Sequence, residues 1–424
     1  MMRWIYPIIL WLALPLVWLR LQWRGRQDPT YKPRQAERFG AVPEAVQQQP
    51  IWFHTVSAGE TIAAAPLIAQ LSETYPDCPF LVTTMTPTGS QQVLQRLADQ
   101  VDHCYAPYDF AFAVKKFFRR VQPRLLVLME TELWPNLIAE AHRRDIPVIL
   151  VNARLSARSA RGYARVASLT RRMLQQVSGI ACQNAAHQKR FIDLGAPPQR
   201  VSVLGSVKFD VALPPDVERQ SATLAQSLGL AGQAVWIAAS THPGEEQIVL
   251  KSFTRLRQQH PQLRLLLVPR HPNRADEVEQ LIVAQGYSVQ RQSCAQDQPV
   301  DVILGDVMGT LLQLYGVAQV AFVGGSLVEV GGHNPIEPAL HGLPIFSGPQ
   351  QFNFVEPFAQ LIDVGAVTTV YDAADLADGV SRLLQDTDER LRIGAQARAM
   401  VASNRGASAR VMDMLGQQIN AVLD

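Results

Sequence analysis

The chain has 424 residues, of which 47% are hydrophobic and 18% are charged, and its formal net charge is +2. This length predicts two or three folded domains, and the small net charge argues against a nucleic-acid partner. The cysteines are widely spaced and form no C-x-x-C pair, which argues against a cysteine metal site or a catalytic cysteine. We expect all four to be buried thiols in a reducing compartment: Cys78, Cys104, Cys182 and Cys294.

The first predicted element is an uncharged apolar helix from Trp4 to Leu19. It is slightly shorter than the roughly 20 residues that cross a bilayer core, and no small-x-small cleavage site follows it, which disfavours a removed signal peptide. One cation precedes the run and five follow it by Arg34, so the positive-inside rule places the rest of the chain in the cytoplasm. We predict a membrane anchor over residues 1–24, which either spans the bilayer or, because two prolines interrupt the run, lies in the interface.

After Pro50, short apolar runs alternate with longer helical patterns. The first group of predicted strands comprises Ile51–Val56, Phe80–Thr84, Leu125–Met129, Val148–Asn152, Gly179–Cys182 and Val201–Leu204. The second group comprises Val235–Ala239, Leu265–Val268, Val300–Leu304, Val320–Val323 and Pro344–Phe346. The helical patterns between them include Thr61–Tyr75, Leu133–Arg144, Glu245–His260 and Ala275–Gln285. Continuous apolar strands separated by helices predict parallel sheets that are covered on both faces.

Five or six strands on each side of residue 215 predict two doubly wound, Rossmann-like α/β domains instead of one large sheet. Pro214 and Pro215 interrupt both patterns, so we place an N-terminal domain at 35–212 and a C-terminal domain at 213–424. The last helix is free to pack back on the N-terminal domain. Ligands bind at the carboxyl ends of strands in such folds, so we expect the site in a cleft between the domains.

The loop after the first strand reads H-T-V-S-A-G-E, from His54 to Glu60, and leads straight into a helix. Small residues at Ser57 and Gly59 let a substrate approach the backbone, and a helix N-terminus attracts anions. Glu60 has two interpretations. It is either ordinary compensation of the helix dipole or a general base that accepts a proton from a hydroxyl.

Two carboxylates follow the third strand, in the M-E-T-E-L-W-P-N segment that begins at Met129. Helix capping explains one of them at most, and Glu130 is suited to orienting a cation or balancing charge at a transferred carbon. Arg154 follows the fourth strand and Lys208 follows the sixth. A guanidinium fork matches a carboxylate or phosphate, and a lysine can neutralise a leaving phosphate without a metal ion.

The C-terminal domain offers further loops at strand ends, each of them a weak signal alone. They are Ala239–Glu246, Pro269–Arg274, Gly305–Thr310 and Gly324–Pro338. Arg270 and His271 are candidates for binding a phosphate, and Glu337 is suited to accepting hydrogen bonds from ribose hydroxyls. The glycines of the last loop permit close approach of the backbone to a ligand.

Six motifs, taken in order, resemble the Kdo (3-deoxy-D-manno-octulosonic acid) transferase family of lipopolysaccharide synthesis. They are H-x-V-S-x-G-E, M-E-T-E-x-W-P-N, N-A-R-L-S, G-S-V-K-F-D, P-R-H-P and G-G-H-N-P-I-E-P. The resemblance implies a GT-B architecture and an inverting transfer of Kdo from CMP-Kdo to a lipid A precursor, lipid IV-A, without a metal ion or other cofactor. It also implies the cytoplasmic face of the inner membrane, with an acceptor-binding N-terminal domain and a C-terminal domain that binds the CMP-sugar.

The same resemblance implies roles for individual residues. Glu60 would accept the proton of the lipid hydroxyl, and Glu130 and Lys208 would stabilise the transition state. The CMP-binding segments would comprise Pro269, Arg270, Met308, Gly309, Thr310, Asn334, Pro335, Ile336 and Glu337. Contacts with Kdo or the acceptor are expected from Ser57, Gly59, Arg154, Ser240, Thr241 and His242. The family's third loop reads G-D-T-M-G-E, and Val307 and Thr310 replace its threonine and glutamate here, which leaves the role of Thr310 open.

Two alternatives stay open at the level of sequence. A transferase that uses a UDP-sugar, or a nucleotide-sugar 2-epimerase, shares the architecture. A membrane-tethered scaffold that senses nucleotides without catalysis is disfavoured, because Glu60, Glu130 and Lys208 all stand in the expected loops.

Overall fold

The computed structural model describes residues 2–294 and 299–423, which divide into two compact units. The first unit runs to Asp210 and takes up the chain again from Arg405, and the second is Val211–Asn404. Helix α1 (Met2–Gln27) opens the first unit. Among the described residues, none of the helices combines the length and the apolar character that a bilayer crossing requires.

The core of the first unit is a wholly parallel sheet of seven strands in the order β3-β2-β1-β4-β5-β6-β7. Its strands are β1 (Ile51–His54), β2 (Phe80–Thr84), β3 (Asp102–Tyr105), β4 (Leu125–Met129), β5 (Val148–Ala153), β6 (Gly179–Cys182) and β7 (Val201–Val203). The interior strands read as continuous apolar runs because helices bury both of their faces.

The second unit has a parallel seven-stranded sheet of its own, in the order β10-β11-β9-β8-β12-β13-β14. Its strands are β8 (Val235–Thr241), β9 (Arg264–Pro269), β10 (Val289–Arg291), β11 (Val302–Leu304), β12 (Val320–Val323), β13 (Ile345–Ser347) and β14 (Val367–Thr369). Each of the eleven predicted strands is confirmed. The prediction missed β3, β10 and β14, because these edge strands carry polar residues instead of an apolar run.

Helices cover both sheets. Some begin at a residue whose side chain accepts hydrogen bonds from the first N–H groups, such as Ser57 before α2 (Ala58–Thr74) and Asp372 before α15 (Ala373–Gln385). In the first unit the helices are α2 (Ala58–Thr74), α3 (Pro87–Arg96), α4 (Ala111–Val121), α5 (Pro135–Arg143), α6 (Ala157–Ala164), α7 (Ala167–Gln175) and α8 (Ala185–Asp193). In the second they are α9 (Val217–Ser227), α10 (Glu245–Gln259), α11 (Ala275–Ala284), α12 (Leu311–Tyr315), α13 (Ile336–Leu340), α14 (Val355–Asp363), α15 (Ala373–Gln385) and α16 (Thr387–Ser403).

The last helix, α17 (Ala407–Leu423), packs on the first sheet. Val411, Leu415 and Ile419 recur every fourth residue, are fully buried, and join the apolar cluster that contains Ile51 and Phe53 of β1. The chain therefore starts and ends in the same unit.

The cysteine prediction is confirmed at three positions and wrong at one. Cys78, Cys104 and Cys182 are buried, whereas Cys294 is exposed. Cys294 lies in a short turn that follows the edge strand β10, so the core of the second unit does not cover it.

Each sheet has a topological switch point. There the chain, after adding strands on one side of the first strand of the sheet, crosses over and adds the next strand on the other side. In the first sheet the chain moves outward from β1 through β2 to β3 and returns at β4; in the second it leaves β8 on one side and returns at β12. Ligands of doubly wound folds bind beyond the carboxyl ends of the strands at such points. The segments that follow β1, β4, β8 and β12 carry Glu60, Glu130, His242 and Glu337, respectively.

Candidate active site

The loop between β1 and α2 holds Glu60 at the switch point of the first sheet. Ser57 caps α2 by accepting a hydrogen bond from the N–H of Glu60 at 3.3 Å. In return, Ser57 Oγ donates to Glu60 Oε1 and the N–H of Val56 donates to Oε2, both at 2.8 Å. This reciprocal arrangement is a variant of the capping box and fixes the carboxyl group in place. Glu60 therefore does stabilise its helix start, as the structural interpretation required.

The electrostatic environment of Glu60 differs from that of an ordinary capping residue. The side chain is 7% exposed, and burial, together with the neighbouring carboxylates of Glu132 and Glu130, raises the pKa of Glu60 to about 8. A carboxylate that serves only the helix dipole has its charged form stabilised, which lowers its pKa. A carboxyl group that titrates near neutral pH is instead suited to general acid–base chemistry.

Glu132 is the second carboxylate near Glu60. The indole N–H of Trp134 donates to Glu132 Oε2 at 2.8 Å, and burial raises the pKa of Glu132 despite that bond. The Trp134 ring meets the buried His54 edge-on at 4.6 Å. The loops after β1 and β4 are thus packed together, and the carboxylate of Glu132 disfavours the charged form of Glu60.

Glu130 joins two cations from distant parts of the first unit. Its Oε2 lies 2.7 Å from Arg154 Nε, and its Oε1 lies 2.8 Å from Lys208 Nζ. The structure therefore brings together three residues that were singled out in separate motifs. Glu130 is buried, while the Arg154 side chain is 39% exposed, so a bound anion can reach the guanidinium.

Unusual backbone conformations mark the strand ends in both units. Glu130 and Asn152 (both φ 53°) and Ser240 (φ 58°) adopt the left-handed region although none is a glycine. Such conformations cost about 1–3 kcal/mol each and concentrate at functional sites. Gly59 of the first loop is exposed, and a Cβ added there would meet only Ser57 Oγ, at an ordinary contact distance of 3.9 Å.

In the second unit, Glu245 holds two loops at the switch point of the second sheet. It is the first residue of α10 and its side chain is fully buried. Its carboxylate accepts four backbone hydrogen bonds, at 2.7–3.0 Å, from the N–H groups of His242, Gly325, Ser326 and Leu327. The loops that follow β8 and β12 are therefore fixed relative to each other.

The adjacent Glu246 fixes the position of the loop that follows β9. It is fully buried and forms an ion pair with Arg274 at 2.6 Å. Glu245, Glu246 and Arg274 were not predicted from the sequence as site residues. A signal was present, because two adjacent acidic residues after a glycine exceed what a helix start requires.

His242 and His333 form a pair between the loops that Glu245 fixes. Their Nε2 atoms are 2.8 Å apart and their ring planes are almost parallel, at 4°. His271 lies perpendicular to His242 at 5.9 Å between ring centroids, and the N–H of Arg270 donates to Thr241 O at 2.9 Å. Burial lowers the pKa of His333 to about 3, with further lowering by Arg270, and burial also lowers the pKa of His242.

The other residues predicted to bind CMP divide by exposure. Pro269 and Ile336 are buried and offer a ligand backbone atoms instead of side chains. Thr241, which was predicted to contact Kdo or the acceptor, is also buried. Glu337 accepts a hydrogen bond from Asn334 Nδ2 at 3.1 Å, and burial raises its pKa. Among the remaining positions, Met308 is 69% exposed, Gly309 has a positive φ of 82°, and Pro335 directly precedes α13 at its N-cap position.

The predicted role of Thr310 as a ligand contact remains a prediction. Its hydroxyl donates to Val307 O at 3.0 Å and accepts from Gln292 Nε2 at 2.9 Å, which gives it a local structural function. Within the described residues, no group of three or more His, Cys, Asp or Glu side chains is arranged to hold a metal ion.

Comparison with known proteins gives consistent results. Residues 33–211 match the family model of 3-deoxy-D-manno-octulosonic-acid transferase (kdotransferase). The chain is 40% identical to the 3-deoxy-D-manno-octulosonic acid transferase of Haemophilus influenzae, over 98% of each chain. It is 36% identical to the protein of that name from Bordetella pertussis, over 97% of this chain and 98% of the relative.

A solved structure shows a similar fold. The UDP-GlcNAc 2-epimerase from Neisseria meningitidis aligns with a TM-score of 0.58 and 16% identity, over 88% of this chain and 100% of that one. Identity at this level indicates a shared fold and does not favour a 2-epimerase activity.

Proposed function

Since the chain belongs to the 3-deoxy-D-manno-octulosonic acid transferase family, we propose that it transfers Kdo from CMP-Kdo to a hydroxyl of a lipid A precursor such as lipid IV-A. One observation carries the proposal in chemical terms. The buried Glu60, with a pKa of about 8, shares a switch point with the group formed by Glu130, Arg154 and Lys208.

Glu60 is the general base of the proposed reaction. The acceptor oxygen forms a bond to the anomeric carbon of Kdo while the bond from that carbon to the CMP phosphate oxygen breaks, which inverts the configuration. The proton of the attacking hydroxyl passes to Glu60. Its hydrogen bonds from Val56 and Ser57 orient the carboxylate before the substrate arrives, so little reorganisation is needed during proton transfer.

Glu130, Arg154 and Lys208 neutralise the charge that accompanies this transfer. Two cations and one carboxylate leave the group with one net positive charge, which matches the carboxylate of Kdo or the departing phosphate. The ion pairs to Glu130 hold both cations at about 2.7–2.8 Å. A cation held in advance stabilises developing negative charge better than a mobile one, which is the role that we assign to Lys208 and Arg154.

The second unit binds the CMP portion in this proposal. Arg270 is exposed at the carboxyl end of β9, beside the imidazoles of His242 and His271, and its guanidinium suits the phosphate. Glu337 and Asn334, which are hydrogen-bonded to each other, suit the ribose hydroxyls. Backbone atoms near Gly309 and Pro269 complete the set.

The proposed membrane contact rests on the surface of α1. Six large apolar side chains on this helix are more than half exposed: Trp11, Leu12, Leu16, Trp18, Leu19 and Trp23. Tyr6 Oη donates to Asp109 Oδ2 at 2.8 Å, and Asp109 also accepts from the N–H groups of Asn136 and Leu137 at the start of α5. A membrane-bound α1 would thus hold the loop of Glu130 and Glu132 close to a lipid acceptor. We propose the cytoplasmic face of the inner membrane as the location.

The assay that tests the reaction is mass spectrometry of lipid IV-A after incubation with the protein and CMP-Kdo. We expect the addition of Kdo together with the release of CMP. A parallel incubation with UDP-N-acetylglucosamine tests the alternative donor. Release of UDP without Kdo transfer would replace the proposal with a UDP-sugar reaction.

Vesicle flotation tests the membrane contact separately. The double variant Leu12→Glu/Leu16→Glu should lose binding to vesicles that contain anionic phospholipid, because charged side chains oppose insertion of α1. Leu391→Glu is the matched control, since Leu391 is 62% exposed in the second unit. Equal binding by all three proteins would contradict membrane contact through α1.

A further inference from the structure

The contact between His242 and His333 limits the charge that the two rings can carry. Two Nε2 atoms at 2.8 Å need one proton between them, because one nitrogen must donate and the other accept. Two neutral rings of complementary tautomers satisfy this contact, and so does a pair with one extra proton on an outer nitrogen. Two rings protonated at Nε2 would direct two N–H groups at each other. The pair therefore titrates as a single unit that carries a charge of zero or plus one.

The groups around the pair keep it neutral when no anion is bound. Burial is the largest cause that disfavours a proton on either ring. From the loop after β9, Arg270, Arg274 and His271 add to this effect at His242, and Arg270 and His271 add to it at His333. The carboxylates on neighbouring elements do not compensate. Glu245 is used by four backbone N–H groups, Glu246 is paired with Arg274, and Glu337 is a buried carboxyl whose pKa is raised.

The backbone holds the pair where an anion is expected. His242 follows β8 and His333 follows β12, so the two rings meet at the switch point of the second sheet. Gly325 packs against the His333 ring so closely that a Cβ there would lie 2.9 Å from its Cδ2. The backbone at Gly325 therefore limits movement of the His333 ring on that side.

We propose that His242 and His333 act as one proton-sharing pair, neutral without ligand, that takes up a single proton when an anionic phosphate or carboxylate binds beside Arg270. The inference deepens the proposed function and rests on it. A bound anion offsets the charge of Arg270, which removes one of the repulsions that oppose the proton, and its own negative charge favours a protonated pair beside it. The site then carries an additional positive charge only while an anion is bound, and that charge stabilises CMP as it leaves.

NMR of the full chain labelled with ¹³C at histidine Cε1 tests the proposal, because this carbon reports imidazole protonation directly. Signals are assigned with His242→Gln and His333→Gln and followed between pH 5.5 and 8.5. Without ligand, neither ring should titrate in this range. With saturating CMP, both signals should titrate with one common midpoint. Cytidine, which has no phosphate, should leave them unchanged, while a response to free Kdo would assign the anion site to the sugar carboxylate.

The affinity for CMP is a second measurement, and it does not require assignment of the NMR signals. If one proton is taken up, the dissociation constant of CMP should fall by up to about tenfold for each pH unit below the midpoint. This dependence should be lost in both His→Gln variants and kept in the control His260→Gln, whose imidazole bonds to Ser381 in the same unit, away from the pair.

The outcomes separate this inference from the proposed function. Binding of CMP with no change in the titration of either imidazole would overturn the proton-sharing pair and leave the transferase assignment standing. Independent midpoints for the two rings would also overturn it. A complete absence of CMP binding would remove the proposed donor site and the pair's role together.

Discussion

The two sheets place chemically opposite groups at equivalent positions. Both units are parallel, seven-stranded and doubly wound, and both have candidate site residues in the loops after the two strands that flank the switch point. In the first unit those loops bring together three carboxyl groups, of Glu60, Glu130 and Glu132. In the second they bring together imidazoles beside an arginine, those of His242 and His333 with Arg270.

The difference shows which part of the function belongs to the fold and which to the side chains. The sheet topology supplies a position at the carboxyl ends of the strands, and it does so twice. Burial at that position then acts on whatever group is present. It raises the pKa of Glu60 and lowers the pKa of His333, since it opposes charge in both cases. One site is thereby suited to accepting a proton, while at the other the imidazoles are kept neutral and Arg270 supplies the positive charge for an anion.

The largest expected effect comes from removing the proton acceptor alone. Glu60→Gln keeps the size of the side chain and can still accept a hydrogen bond from Val56. Transfer of Kdo should fall by about 10²–10⁴-fold, the usual contribution of a positioned base, while the affinity for CMP stays unchanged. Steady-state assays of CMP release and calorimetry of CMP binding measure the two quantities. Near-normal turnover would remove Glu60 from the mechanism and end the functional contrast between the two units.

A second test separates charge in the site from charge elsewhere in the same unit. Glu130→Gln leaves Lys208 and Arg154 without their counter-charge, which should lower stability by about 3 kcal/mol, as for a broken buried ion pair, and should also reduce transfer. The matched control is Glu140→Gln, because Glu140 is also buried and paired with two arginines, Arg143 and Arg144. Denaturant unfolding gives the stability, and transfer assays give the activity.

The control decides how the second test is interpreted. Glu140→Gln should lower stability and leave the transfer rate per folded molecule unchanged. If both variants reduced that rate equally, the effect of Glu130 would be one of folding and the group around it would have no special role in the reaction.

The third effect belongs to the second unit. Arg270→Gln should weaken CMP binding by about 10–100-fold, which corresponds to the 1.5–3 kcal/mol of hydrogen bonds to a charged group. It should leave the pKa of Glu60 in the first unit unchanged. Arg255→Gln is the control, since Arg255 is an exposed arginine of the same unit paired with Asp378. Calorimetric titration with CMP measures both, and equal affinities would exclude Arg270 from the nucleotide site.

The fold could be predicted from the sequence further than the site could. Apolar runs identified the interior strands because burial on both faces constrains every residue, whereas the edge strand β3, with the sequence D-H-C-Y, is not constrained in this way. Glu60, Glu130 and Lys208 were identified because motifs place them at strand ends. The pairing of His242 with His333, 91 residues apart, could not be predicted, because it depends on how Glu245 holds two loops together.

The smallest expected effect is the response of stability to pH, and it should have opposite signs in the two regions. Glu60 has a folded-state pKa of about 8, above its ordinary value of 4.5. The folded protein therefore keeps a proton that the unfolded chain releases, and the stability gained from this is complete below about pH 4.5 and lost as the pH rises through 8. His333, which shares a proton with His242, is kept neutral in the folded state, because burial lowers its pKa to about 3, below its ordinary 6.5. Its contribution is present above about pH 6.5 and is lost on acidification.

Two substitutions convert this contrast into a measurement. Relative to the unmodified chain, Glu60→Gln should gain thermal stability between pH 6 and 9, and His333→Gln should gain it between pH 6.5 and 4. Each gain should be a few degrees, since about 1 kcal/mol shifts the Tm of a domain of this size by roughly 2–4 °C. Scanning calorimetry over this pH range gives both profiles. Parallel profiles would mean that burial does not oppose charge at the two positions. The opposite pKa shifts of Glu60 and His333 would then no longer support a general base in one unit and an anion site in the other.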